Sequence, residues 1–182
     1  MNVTPDLDAR FRAAAVGEGL VDVRFDVVPS PLGDLRVAMT DRGLARISYR
    51  GDGWEDELAR RFGVRVLRAP LDEVRRELDE YFEGRRRTFD LPLDLRVAPF
   101  HEQVLRELAR VPYGRTETYG ALAAKVGRPR AARAVGTVMN RNPIPIVLPC
   151  HRIVGANGSL TGYAGGLDAK RQLLRLEGAV LV

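Results

Sequence analysis

Among 182 residues there is one cysteine and there are two histidines, and one of each stands side by side in Pro149-Cys150-His151-Arg152. A thiol close to an imidazole points to nucleophilic chemistry. The thiolate is the reactive form, and an unperturbed cysteine is mostly protonated at pH 7, so a base has to take its proton. Histidine suits that task, usually with a carboxylate to orient it. Glu177, on the last helical stretch, is the carboxylate candidate. In extended chain, neighbouring side chains point to opposite faces. Direct contact between Cys150 and His151 is therefore not assured, and a water could bridge them. The plain alternative is a small buried hydrophobe, the commonest role of a lone cysteine. Against it stand the flanking Pro149 and His151 and the charge around them. His101 sits early in a helix, away from any ligand pattern, and is assigned a surface or structural role. One cysteine and two histidines make no metal motif, and neither a metal nor a cofactor is expected.

The charge is concentrated near the cysteine. Arg110 to Arg152 contains Arg110, Arg115, Lys125, Arg128, Arg130, Arg133, Arg141 and Arg152 against the single acid Glu117, a balance of +7. The whole chain has a formal charge of +5, so the remainder sums to −2. A local basic face beside a candidate nucleophile suits a polyanionic substrate. Within it, Pro129 to Asn140 reads as a helix dominated by Ala131, Ala132, Ala134 and Gly136. A helix that reads the major groove carries Asn, Gln or Arg aimed at base edges. Small side chains instead let a helix approach the minor groove closely with weak sequence preference. Arg133 is then the long side chain able to enter the duplex. The competing explanation is a tightly packed structural helix pair, which alanine and glycine also permit.

The elements that must position these residues follow from hydrophobic period and turn chemistry. Met1 to about Gly19 is a polar, partly helical lead-in. Val21–Val28, Leu35–Met39 and Leu44–Tyr49 read as a three-stranded antiparallel meander, with turns at Pro31-Leu32-Gly33-Asp34 and Asp41-Arg42-Gly43. Helices are expected over Trp54–Phe62 and Pro70–Phe82, the second stopping at Gly84. Thr88 to Val97 is an extended linker marked by Pro92 and Pro99. A helix over Phe100–Arg110 follows. Thr118 is a good N-cap for a helix over Tyr119–Val126, and Gly127 with Pro129 makes the tight turn of a helix-turn-helix. Ile144 to Cys150 is expected to be extended and buried, Asn157-Gly158 a hairpin-type turn, and Leu167–Glu177 a final helix ended by Gly178. The fold class is α+β. An N-terminal α/β domain spans 1–92, with a linker to about 98, and a mostly helical C-terminal domain spans 99–182.

Several classes are set aside. A single cysteine forms no internal disulfide, and its free thiol suits a reducing cytoplasm. No apolar run approaches the roughly 18 residues a membrane span needs. Met1 to Arg10 carries two aspartates and no apolar stretch, unlike a signal peptide.

Asn142 to Val154 resembles the active-site signature of the 6-O-alkylguanine-DNA alkyltransferases, also called methylated-DNA–protein-cysteine methyltransferases. Ala131-Ala132-Arg133-Ala134-Val135-Gly136 is similar to that family's recognition helix, and Ser159 to Gly166 and Leu173 to Gly178 also fit. The strong likeness covers roughly Phe100 to Gly178. The N-terminal half matches less specifically, best at Pro31-Leu32-Gly33 and Asp41-Arg42-Gly43-Leu44. The resemblance implies a ribonuclease-H-like first domain and a winged-helix-like second domain. It implies single-turnover transfer of an alkyl group from the 6-oxygen of guanine in double-stranded DNA to Cys150, with no cofactor. The 4-oxygen of thymine stays open as a second target.

Roles follow position by position from the same resemblance. His151 acts as base through a water, Glu177 completes the relay, and Asn142 braces the segment between recognition helix and cysteine. Arg133 fills the gap left by the extruded nucleotide. Tyr119 presses on the adjacent phosphate, and Arg128 joins the DNA-contacting set with Ala131, Ala132, Ala134 and Gly136. Tyr163 and the N–H of Ala164 meet the guanine, the carbonyls of Cys150 and Ile153 accept from its exocyclic amine, and Met139 lines the pocket. Some family members bind a structural zinc in the first domain, and this chain lacks the cysteines for it. A monomer is expected, with cooperative binding along DNA left open. Two other readings compete: a non-catalytic DNA-binding module, and a cysteine hydrolase with multiple turnovers.

Overall fold

The structure is a computed structural model that describes residues 5–179. The lead-in forms a helix, α1 (Pro5–Gly17); its first four residues, like 180–182, lie outside the described residues. Strands β1 (Val23–Val28), β2 (Leu35–Thr40) and β3 (Gly43–Ser48) make the expected antiparallel meander. After helix α2 (Trp54–Phe62), a further strand β4 (Val66–Arg68) pairs parallel to β1, so the sheet has four strands in the order β3-β2-β1-β4. This corrects the three-stranded expectation. A three-residue strand is too short to show alternation.

The sheet is covered on both faces. Phe25 and Ala38 pack with Trp54 and Leu58 of α2, while Val28, Leu35, Val37 and Ile47 face the larger core. That core runs on through helix α3 (Asp72–Phe82) into the C-terminal half without a break, and it includes Cys150. The linker is not free. Leu44 N–H donates to Pro92 O at 2.8 Å, and Asp94 N–H donates to Leu44 O at 2.9 Å, sealing it along β3. Gly43 at the hairpin has φ 133°, and a Cβ there would lie 2.3 Å from Pro92 O, so only glycine fits.

The C-terminal half opens with α4 (Pro99–Leu108). Strand β5 (Glu117–Thr118) leads into α5 (Tyr119–Lys125), capped as expected by Thr118 Oγ1, which accepts from Ala121 N–H at 3.1 Å. Gly127, at φ 72°, turns the chain toward α6 (Ala132–Asn140). The second helix starts three residues later than its sequence suggests, because Arg128 O accepts from Ala131 N–H in a preceding turn.

The segment 144–150 differs most from expectation. It is buried, but it is not a strand. Leu148 N–H bonds back to Ile144 O at 2.9 Å, Ile146 takes φ 76°, and Cys150–Arg152 forms a 3-10 turn. A β-branched residue at positive φ costs about 1–3 kcal/mol and persists only where its surroundings over-determine it. Strand β6 (Ile153–Val154) then pairs parallel to β5, the turn at 157–158 carries no second strand, and α7 (Gly166–Leu176) closes the fold.

Candidate active site

Asn142 supplies the over-determination. Its side chain spans the strained loop: Nδ2 donates to Leu148 O at 2.7 Å and Oδ1 accepts from Ile144 N–H at 3.1 Å. The loop is thereby tied to the end of α6, and Cys150 Sγ is held at the start of the 3-10 turn. Because that turn is helical rather than extended, the expected placement of Cys150 and His151 on opposite strand faces does not apply. Both side chains are buried.

His151 and Glu177 meet across 26 residues of sequence, with Nε2 and Oε1 2.8 Å apart. The carboxylate is held on all sides. Tyr81 Oη donates to Oε1 at 2.7 Å, Arg152 Nε and Nη2 donate to Oε2 and Oε1 at 2.9 Å each, and Gly114 N–H donates to Oε2 at 3.2 Å. Burial alone would raise the Glu177 carboxyl, but the hydrogen bonds from His151 and Arg152 and their charges prevail and hold it at about 2. An ionised carboxylate only accepts, so the proton between the pair sits on His151 Nε2. Nδ1 is then the lone-pair nitrogen, and among the described residues it has no hydrogen-bond partner although it is buried. Burial also lowers the basicity of His151 against the opposing pull of Glu177, so the ring is neutral near pH 7.

The thiol rests protonated. Burial pushes it up to about 11, with a hydrogen bond from Asn142 and the Lys170 charge acting the other way. Lys170 was not foreseen. Its side chain is fully buried on the inner face of α7, and Nζ donates to Ile153 O at 2.5 Å and Thr161 O at 3.0 Å. It thus ties the cysteine turn to the loop 159–166. Burial brings it down to about 8, opposed by the Cys150 charge. The Ile153 carbonyl, expected to accept from guanine, therefore already has one donor, Lys170 Nζ.

The loop 159–166 lies over the site. Tyr163 Oη is 2.7 Å from Tyr49 Oη, and its ring stands edge-on to that of His151 with centroids 6.4 Å apart. Ala164 is exposed beside it, while Met139 is buried in the main core with Cys150. Tyr119 joins the loop to α6: its Oη accepts from Thr161 Oγ1 at 2.9 Å, and its ring covers Gly136. Gly136 is therefore only half exposed. Arg133, Ala134 and Thr137 form the exposed side of α6, and Ala131 and Ala132 are half-buried at its start. The Arg133 guanidinium makes no ion pair or hydrogen bond with any described residue. Arg128 stacks over Phe100 at 5.1 Å.

Tyr81, Arg152, Lys170 and Tyr49 are the neighbours that sequence reasoning passed over. Arg152 had a signal, being next to His151. Lys170 had one too, since its helical spacing with Leu173 and Leu174 puts a charge on an apolar face. Tyr81 read as core, and Tyr49 gave no sign of its partner.

The His151–Glu177 pair makes acid stability predictable. Glu177 is more acidic folded than unfolded, so its contribution is present above about 4.5 and is lost as pH falls toward 2. His151 is less basic folded, so its contribution starts to fall below about 6.5. Denaturant midpoints measured from pH 7 to pH 3 should fall monotonically, with a shallower slope in Glu177→Gln.

Comparison with known proteins identifies the family. The model of the 6-O-methylguanine DNA methyltransferase DNA-binding domain matches residues 99–179, and that of the family's ribonuclease-like domain matches residues 23–95. A methylated-DNA–protein-cysteine methyltransferase of Methanosarcina acetivorans is 41% identical over 165 residues, covering 85% of this chain and 98% of that protein. The constitutive enzyme of that name from Bacillus subtilis is 39% identical over 155 residues, covering 84% and 94%. The crystal structure of Mycobacterium tuberculosis O6-methylguanine methyltransferase superposes with a TM-score of 0.77 at 38% identity, covering 86% of this chain and 93% of that one. The Mycobacterium tuberculosis protein in complex with DNA gives 0.75 at 37% identity, covering 85% and 92%. With both domain models matched in order and relatives near 40% identity along most of its length, this chain belongs to the methylated-DNA–protein-cysteine methyltransferase family.

Proposed function

We propose that this protein repairs alkylated DNA by moving the alkyl group from the 6-oxygen of guanine onto Cys150 Sγ, once per molecule. The observation that carries it is the buried thiol backed by a His151–Glu177 pair whose free nitrogen is Nδ1.

DNA meets the basic face around α6, where small residues allow close approach and Arg133, Arg128 and Arg130 are exposed. The target oxygen is inaccessible inside a stacked duplex, so the base must leave it, at a cost of about a few kcal/mol that is lowest for a badly paired lesion. Arg133 inserts in its place, and Tyr119 guides the neighbouring phosphate. Tyr163 and the Ala164 N–H hold the extruded guanine. His151 Nδ1 then takes the thiol proton through a water, and the ion pair this creates is stabilised by Glu177. The sulfur attacks the alkyl carbon as the carbon–oxygen bond breaks. That electron pair leaves with guanine, which is neutralised by a proton. A thioether offers no easy leaving group, so turnover ends. No cofactor takes part. The protein acts as a monomer on double-stranded DNA in a reducing cytoplasm, which keeps the thiol free. Among the described residues, no helix is long and apolar enough to cross a membrane.

The test separates binding from chemistry. Cys150→Ser should bind DNA like the parent, with affinity falling steeply as salt rises, yet accept no alkyl group. Residual transfer in that variant, or a flat salt response, would contradict the scheme.

A further inference from the structure

A strongly basic groove adjoins the site. It has a volume of about 720 Å³, runs between β3 with its following loop and the C-terminal half, and is lined by four arginines: Arg46, Arg50, Arg61 and Arg141. Among the described residues, the carboxylate paired to them is Glu57, 2.8 Å from Arg46 and 3.3 Å from Arg61. Arg46 Nε is buried without a hydrogen-bond partner among the described residues. Arg50 and Arg141 are exposed, and their guanidiniums pair with no described residue. Four positive charges thus face one negative one.

The groove begins at the active site. Its inner wall is Asn142, Pro145, Tyr163 and Ala164. Asn142 holds the cysteine loop, while Tyr163 and Ala164 are the residues assigned above to guanine. A methyl group ends at the sulfur. A longer chain attached through the same oxygen has to leave the site by space that guanine does not fill, and the groove adjoins the site along this wall. We infer that the groove is a specificity site for guanine lesions whose alkyl chain carries an anionic end, a carboxylate above all, held by Arg50 and Arg141. The inference rests on the proposed reading of the base pocket. The chemistry is unchanged: sulfur bonds to the carbon attached to oxygen, the carbon–oxygen bond breaks, guanine leaves with the electron pair, and the carboxylate stays intact at the far end of the thioether. Guanidinium and carboxylate match as a two-point, charge-assisted pair, while a neutral amide of the same shape offers no charge. Specificity is the difference between those two.

The experiment uses the full chain and duplexes identical except for one guanine, bearing O6-methyl, O6-(4-carboxybutyl) or O6-(4-carbamoylbutyl). Single-turnover rates are read from the mass gained at Cys150. At low salt the carboxylate should react about five- to tenfold faster than the amide, the scale of a partly exposed ion pair. That ratio should shrink with salt. It should approach one in the Arg50→Gln/Arg141→Gln double variant. Using the ratio cancels any general effect on folding or DNA affinity. A wild-type ratio of one overturns the inference. So does a ratio that survives in the double variant, including the case where both lesions slow equally because the arginines serve phosphates. Methyl transfer with neither butyl lesion reacting also overturns it, since the chain then has no exit. If no lesion reaches Cys150, the function proposed above falls as well.

Discussion

Glu177→Gln should slow transfer about 100-fold or more while destabilising the fold by about 3 kcal/mol, because one carboxylate serves both chemistry and packing. In the native protein it accepts from His151, Tyr81, two nitrogens of Arg152 and the Gly114 N–H. Arg152 is buried, so a neutral partner leaves its charge without a counter-ion. Glutamine can also donate to His151 Nε2 as readily as accept from it. The imidazole then loses its fixed tautomer, and the imidazolium formed on deprotonating the thiol loses its balancing charge. Denaturant unfolding and single-turnover rates on one preparation read the two losses separately. Tyr81→Phe removes a single neutral donor and should cost only about 1 kcal/mol. Equal rates in Glu177→Gln and the parent would leave His151 without its proposed role.

Arg133→Ala should slow transfer from a duplex lesion by about 100-fold, the rate equivalent of the few kcal/mol that base extrusion costs. The same variant should be nearly as fast as the parent on a single strand bearing the same lesion, where nothing has to be unstacked. This contrast distinguishes an inserted side chain from a generic phosphate contact, which would weaken both substrates alike. The structure favours insertion. Arg133 is exposed on the first turn of α6 next to Ala134, with its guanidinium uncommitted, whereas Arg128 is stacked on Phe100.

Local signals carried much of this far. The Thr118 cap, the Gly127 turn, the meander and α2 are written in nearest-neighbour chemistry, and all of them appear in the structure. What stayed illegible is long-range. Strand β4 exists because β1 offers it an edge, not because Val66-Leu67-Arg68 alternates. The 144–150 run is apolar enough for a strand, but Pro143 and Pro145 remove backbone donors, and Asn142 provides hydrogen bonds that favour a tight loop instead. Tyr81 is 96 residues from Glu177, and Tyr49 is 114 from Tyr163. Both tyrosines come from the N-terminal half, so the half with the fainter resemblance supplies contacts to Glu177 and to the loop 159–166. Spacing has no means of showing either pair.

The central claim is that Cys150 Sγ keeps the alkyl group. Its most direct test is mass spectrometry of the intact protein and of the peptide containing Cys150 after exposure to excess duplex bearing O6-methylguanine. One methyl group per molecule, located on Cys150, with an equal amount of guanine restored in the DNA and no further turnover, is the predicted result. Restored guanine with an unmodified Cys150, or more guanine restored than protein present, would contradict it.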